Sequence, residues 1–405
     1  MMVNYPLEGM RVVDFAWAWA GSQATSILAL LGAEVIKIES RRRIDHSRVF
    51  SLTTGEWFNE PDLSPIFNDM NLGKLSANID LTSPVGVELV KKLVGISDVV
   101  VQNMRPGKIE VLGLGYDVLR EVRPDIIMLS SSARGNTGPE RGYIGYAPLF
   151  SAMSGFAHIS GYEGEEPIRL SGEIDLLSAT SAAFAILAAL LYRQQTGKGQ
   201  FIDLSSTEAT SVMMGEVFMD YCMNGRVQSR HGNRDQFMAP HNVYRCRGED
   251  KWVSIAVATD EEWTALCEAM SQPQLAEDER FADSLSRWHN QGELDALIED
   301  WTIRYEHTEI TEMLQGAGVA AAPSCGSEDL WNDPHLRERT FWSEVDHPLL
   351  GRKTVIGPAW KFSGTPVQVR GPAPLFGQHN QYVFGELLGI NDSEIARLVD
   401  DGVIY

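Results

Sequence analysis

Apolar residues in the first part of the chain fall into short runs separated by stretches of helical spacing. Met10–Phe15 is a run rich in β-branched residues, and Ala33–Glu39 (A-E-V-I-K-I-E) is a second. Asp98–Gln102 and Asp125–Ser130 repeat the pattern. Such short runs bounded by polar turns predict buried strands. Between them, Ser22–Leu31, Pro84–Val94 and Tyr116–Val122 have the apolar spacing of helices. This alternation predicts βαβ units, a parallel sheet and helices on both faces. In open sheets of that kind, ligands bind at the carboxyl ends of the strands.

Farther along, Leu176–Tyr192 is uncharged and Ala-rich. A membrane span needs about 20 strongly apolar residues. This stretch carries Ser178, Thr180 and Ser181, so it is read as a buried core helix over 176–195. Gly197 is its stop, and Lys198 sits near the negative helix end. Gln200–Leu204 reads as a strand and Glu208–Met223 as a helix. Residues 224–241 are polar and basic-leaning, the composition of a linker or binding loop. A separate block follows, with a strand at Lys251–Ala256 and amphipathic helices at Glu261–Met270, Gly292–Tyr305 and Thr308–Gly316. Gly318–Pro323 reads as its last strand. A Pro/Gly-rich connector (Gly364–Gln378) and an acidic helix (Asp392–Asp401) close the chain.

Composition narrows the function. The 405 residues are 44% hydrophobic and 22% charged, as in a core-forming globular protein. A formal charge of −21 argues against a nucleic-acid partner, whose phosphates need clustered Lys and Arg. It leaves room for a local basic patch. The four cysteines, Cys222, Cys246, Cys267 and Cys325, show no C-x-x-C or zinc spacing, and no metal site is expected. Met1–Pro6 lacks the basic and apolar regions of a secretory signal, so a cytoplasmic protein is expected.

Candidate chemistry lies at the strand ends. After the first strand comes Trp17-Ala18-Trp19-Ala20-Gly21. Only Gly21 stands at that turn, so the G-x-G-x-x-G of a dinucleotide site is missing. Trp17 and Trp19 read either as core residues or as an aromatic pocket wall. After the second strand, Arg41-Arg42-Arg43, with Arg48 following, read as a solvated turn or as a phosphate anchor. Asn71-Leu-Gly-Lys74 and Gln102-Asn103-Met104-Arg105-Pro106-Gly107 are weak signals taken singly. Ser171-Gly172-Glu173-Ile174-Asp175 opens the long helix. Asp175 reads as an N-cap or as a carboxylate nucleophile kept ionised by the helix end. No Ser/His/Asp triad and no G-x-S-x-G elbow is present.

Together, and in this order, the motifs resemble the family III CoA-transferases, which include the α-methylacyl-CoA racemases. The matching pieces are G-M-R-V-V-D-F (9–15), L-G-A-E-V-I-K-I-E (31–39), N-L-G-K (71–74), D-V-V-V-Q-N-M-R-P-G (98–107), L-G-L-G-Y (112–116), G-N-T-G-P (135–139) and L-L-Y-R-Q-Q-T-G-K-G-Q (190–200). The resemblance implies a doubly wound, Rossmann-like α/β domain built from 1–225 and 326–405, a smaller α/β domain over 226–325, and an interlocked dimer. The partner chain would be a second copy or a related subunit.

For the site, the resemblance implies Asp175 as nucleophile and CoA contacts at Ala18, Arg41, Lys74, Asn103 and Met104, with Arg105 beside them. Acyl-CoA and a carboxylic acid would be substrates, with no tightly bound cofactor. Asp175 would form an acyl anhydride, then an aspartyl-CoA thioester, and pass CoA to the acceptor. Four departures bear on the carry-over of the nucleotide contacts, in the case of Val111, and on specificity. An arginine of oxalate-type members is replaced by Val111, and a glutamine of formyl-CoA:oxalate transferases by Trp19. The latter's glycine-rich loop has no counterpart in Arg230–Pro240. The racemase histidine falls on Tyr146, a poor acid/base at neutral pH. Transfer is therefore favoured over the racemase, and the presence of Asp175 argues against a non-catalytic CoA-binding subunit. Trp17, Trp19 and Tyr146 would wall a pocket for a bulky or aromatic acid. The W-A-W-A-G segment is similar to subunits of succinyl-CoA:benzylsuccinate transferases.

Overall fold

A computed structural model describes residues 5–50, 59–168, 170 and 172–405. It divides into two compact units. One comprises Met1–Ala157, Arg169–Arg226 and His335–Tyr405, and the other His158–Ile168 and Val227–Pro334.

The first unit is built on six parallel strands: β1 (Arg11–Asp14), β2 (Glu34–Glu39), β3 (Leu75–Asn78), β4 (Val99–Gln102), β5 (Ile127–Ser132) and β6 (Phe201–Ser205). Their order is β3-β2-β1-β4-β5-β6, the doubly wound arrangement anticipated from the alternating pattern. The order reverses between β1 and β4, which pair directly through Val12–Val99 and Val13–Val100. Residue alternation drives burial on both faces. Val12, Val99 and Val101 join one core with Val35, Ile127 and Leu129. Val13 and Val100 join the other with Ile36, Ile38 and Met128. Each fully buried side chain of this type contributes about 1.5–3 kcal/mol of transfer free energy.

Helices cover each face. On one side lie α1 (Ala20–Leu30) and, farther along the chain, a long helix over Gly172–Thr196. Ala24 and Ala29 of the first meet the core of Ala179, Ala182 and Ala189 of the second, small side chains that let two backbones approach. On the other side lie α2 (Pro84–Gly95), α3 (Tyr116–Val122) and the chain's last residues, with Leu398, Val403 and Ile404 in the core. Between β5 and β6 run α4 (Ala147–Ser154) and α5, the long helix. Because α5 leads directly into β6, it runs against the strands. Its amino end therefore lies at their carboxyl edge. Among the described residues α5 alone is long and apolar enough to cross a membrane. Its inner face is packed in the sheet core as expected, while Leu176, Phe184 and Leu191 on it are exposed.

The stretch anticipated as a single helix over 208–223 is broken. It forms α6 (Ser206–Ser211), a 3-10 turn at Val212–Met214 and α7 (Gly215–Asn224). An antiparallel hairpin, β10 (Trp342–His347) with β11 (Gly351–Ile356), completes the unit.

The second unit is a three-stranded antiparallel sheet in the order β7-β8-β9 (His241–Arg245, Trp252–Ala256, Ala320–Pro323). Against it pack α8 (Asp260–Ala269), α9 (Gln291–Thr302) and α10 (His307–Gly316) around Trp263, Leu266, Ile298, Trp301 and Leu314. Thr259 and Glu262 form a capping box that starts α8.

Candidate active site

The switch between β1 and β4 places the two loops that follow these strands side by side. Asn103, just past β4, clamps the loop past β1. Its Oδ1 accepts from Trp17 N at 2.9 Å, and its Nδ2 donates to Trp17 O at 2.7 Å. Gly21 makes that approach possible, since a Cβ there would sit 2.5 Å from Ala16 Cβ and 3.1 Å from Asn103 Cγ. Next to the clamp, Ala18 takes a left-handed φ of 56°, uncommon for a residue with a side chain. Its N–H donates to Asp45 at 3.2 Å.

This loop carries Trp19 to the start of α5. A Cβ on Gly172 would lie 3.0 Å from Cη2 and Cζ3 of the indole, so the ring packs closely on the first turn of the helix. The indole Nε1 is buried without a hydrogen-bond partner among the described residues. Asp175 follows one turn later, inside the first turn of α5 rather than at its cap. The N-cap reading is therefore corrected, and Ser171 of the same motif lies outside the described residues. Among the described residues no cation or hydrogen-bond donor pairs with the Asp175 carboxyl. Burial pushes it up from the usual carboxylate range to about 7. The helix end had been expected to hold it fully ionised, but desolvation dominates.

The loop past β5 reaches the same place. Ala133 packs with Ile174 and with Ala147 and Phe150 of α4. The adjoining Arg134, ion-paired with Glu140, lines a cavity of about 410 Å³ with Gly138, Asp203 and Glu208. Asp203 accepts from Asn136 N and Nδ2 at 2.8 Å each, and Asn136 meets Ser130 Oγ, which is bonded to Gln102. Gln102 Oε1 in turn accepts from Met104 N at 2.6 Å. A continuous side-chain chain thus ties the carboxyl ends of β4, β5 and β6. Sequence reasoning did not single out Arg134. Its signal was A-R-G immediately after a strand.

Basic residues past β2 divide into two groups. Arg41 and Arg43 are exposed, with their guanidinium groups over Tyr405 (5.3 Å) and Trp17 (4.6 Å). Arg42 pairs with Asp80 at 2.9 Å. Arg48 is fully buried, held bidentately by Glu39 at 2.8 Å and by Asp62 at 2.7 Å, and so is no surface anchor. Lys74 requires the same correction. It is 2% exposed, and its Nζ donates to Asp14, Ser22 O, Thr25 Oγ1 and Asn71 Oδ1. With its three donors more than committed, it stabilises Asp14 from within and makes no phosphate contact in this arrangement. Met104 packs against the core beside β4, Arg105 is exposed, and Tyr146 is 66% exposed just before α4.

The sequence and the fold match a known family. Residues 7–380 match the model of CoA-transferase family III. The chain belongs to that family. It is a CoA-transferase, and CoA thioesters are its substrates. A succinyl-CoA--D-citramalate CoA-transferase of Chloroflexus aurantiacus is 35% identical over 98% of both chains. The beta subunit of that organism's succinyl-CoA--L-malate CoA-transferase is 32% identical over 98% of both. Among solved structures, a CAIB/BAIF family protein from Brucella suis superposes with a TM-score of 0.86 at 29% identity. That match covers 95% of this transferase and 100% of the other chain.

Proposed function

We propose that the transferase takes CoA from succinyl-CoA and passes it to a dicarboxylic acid, with Asp175 as the covalent carrier. The carrying observation is the Asp175 carboxyl, without a partner among the described residues and poorly solvated in the first turn of α5, on which Trp19 packs at Gly172. A desolvated carboxylate is a better nucleophile than a hydrated one. Its oxygen attacks the thioester carbonyl of the donor and expels CoA thiolate, giving a mixed anhydride. The thiolate then attacks the Asp175 acyl carbon and releases succinate. An acceptor carboxylate reverses both steps. Free backbone N–H groups of the first turn of α5 would favour negative charge developing there. The orphan indole N–H of Trp19 is available to a substrate oxygen, which would relieve an unmet donor worth about 1–3 kcal/mol.

Arg41 and Arg43 fit the phosphate end of CoA, being exposed cations held in place by aromatic rings. Ala18, Asn103 and Met104 belong to the loops that would flank the pantetheine. The acceptor class follows from the succinate-like acids named for the relatives, D-citramalate and L-malate. Trp17 and Trp19 leave an aromatic wall on which a substituted succinate, benzylsuccinate included, would pack. The working assembly contains two chains, a second copy or a related subunit.

Intact-mass measurement after incubation with succinyl-CoA, with peptide mapping, tests this reading. The expected product is a CoA adduct on the Asp175 peptide, discharged by a dicarboxylic acid and absent from Asp175→Ala. Retained turnover in Asp175→Ala, with CoA binding unchanged, would end the covalent proposal.

A further inference from the structure

The loop carrying Trp17–Trp19 is held by side chains rather than by strand pairing, and one holder is an internal ion pair. Lys37 in β2 and Asp45 lie 3.1 Å apart, with side chains 0% and 1% exposed. Lys37 Nζ donates to Ala16 O at 2.6 Å. Asp45 Oδ1 accepts from Ala18 N at 3.2 Å, and from Ser47 N and Oγ at 3.0 and 2.8 Å. Asn103 takes both polar groups of Trp17 between them. The backbone of 16–18 is thus fixed group by group, including a left-handed residue that is costly without support. An ion pair this buried is an expensive way to stabilise a fold, because desolvation offsets most of its attraction. Its geometry is directed at the loop.

We infer that Asp45, held in place by Lys37, is a positioning residue for CoA transfer: it sets the turn at Ala18 and thereby the seat of Trp19 against Gly172, beside Asp175. The inference rests on the catalytic reading of Asp175 given above. Burial opposes the charge on both partners, but their attraction outweighs it. The ammonium is held above its usual value and the carboxylate below its own. The carboxylate therefore stays an acceptor for Ala18 throughout the working pH range.

Removing Asp45 alone would strand a buried ammonium and endanger folding, so the test is made in a Lys37→Met background. There, Lys37→Met/Asp45→Asn and Lys37→Met/Asp45→Ala are both uncharged and differ in the acceptor offered to Ala18 N–H. Three quantities are measured: melting temperature, the rate of CoA-adduct formation with succinyl-CoA, and calorimetric affinity for free CoA. The Asn form is expected to form adduct about tenfold or more faster than the Ala form, at melting temperatures within a few degrees of each other. Free CoA is expected to bind the Ala form about threefold or more weakly. Equal adduct rates and equal affinities would overturn the assignment. If the parent enzyme forms no adduct, the catalytic reading fails, and CoA affinity alone decides whether Asp45 positions the loop.

Discussion

At the scale of one residue, Asp175 makes two pH predictions of opposite sense. Its carboxyl is raised to about 7 by burial. The nucleophile must be ionised to attack, so kcat/KM for succinyl-CoA should rise with pH along a limb with an apparent pKa near 7. A limb near 4 would show that the site is better solvated than its surroundings indicate. Stability runs the other way. A folded pKa above the unfolded one favours the fold fully below about pH 4, and that contribution is lost as pH rises through about 7. Asp175→Asn removes the burden of an ionised buried carboxylate. Its advantage over the parent should grow between pH 5 and 8 by about 1–2 kcal/mol, allowing for partial exposure. Thermal melts at the two pH values would show this as a shift of a few degrees.

At the scale of elements, the seat of Trp19 on the first turn of α5 is the contact most open to test. Gly172→Val would place a branched side chain where the indole ring now lies, 3.0 Å from the position of the added Cβ. Adduct formation should slow by about 100-fold, the cost of an ångström-scale misplacement, while affinity for free CoA changes little. An unchanged rate would detach Trp19 from the chemistry. How far elements could be read in advance depended on burial. Strands β1, β2, β4 and β5 carry apolar residues on both faces and stood out. Strand β3 reads L-S-A-N, too polar to stand out, because Ser76 is satisfied by Glu39 and His379 from afar. The loop residues at the switch point were legible as candidates because their strands were. Lys74 and Arg48 were misjudged for the converse reason. Their carboxylate partners Asp14 and Glu39 lie 60 and 9 positions away, and no local pattern shows that a cation is already paired. Asp45 escaped notice for the same reason.

At the scale of the whole molecule, an apolar surface on the first unit sets the last prediction. Along α5, Leu176, Phe184 and Leu191 recur at helical spacing, with exposures of 45%, 74% and 56%. Beyond β6 the pattern continues in Val212 at 77%, Met213 at 60% and Met223 at 73%. The 3-10 break between α6 and α7 lies at Val212–Met214, where two of these side chains are presented outward. Exposed apolar area on this scale marks an interaction surface. A chain carrying −21 repels its own copies, so short-range burial has to outweigh long-range repulsion. Sedimentation at micromolar concentration should therefore show a two-chain species that tightens as salt screens the repulsion. Phe184→Glu combined with Val212→Glu should shift it toward single chains, and transfer activity should fall with the dimer fraction. A parent that sediments as a single chain and turns over fully would separate catalysis from assembly. A parent that is single and inactive until a related subunit is added would instead assign this surface to that subunit.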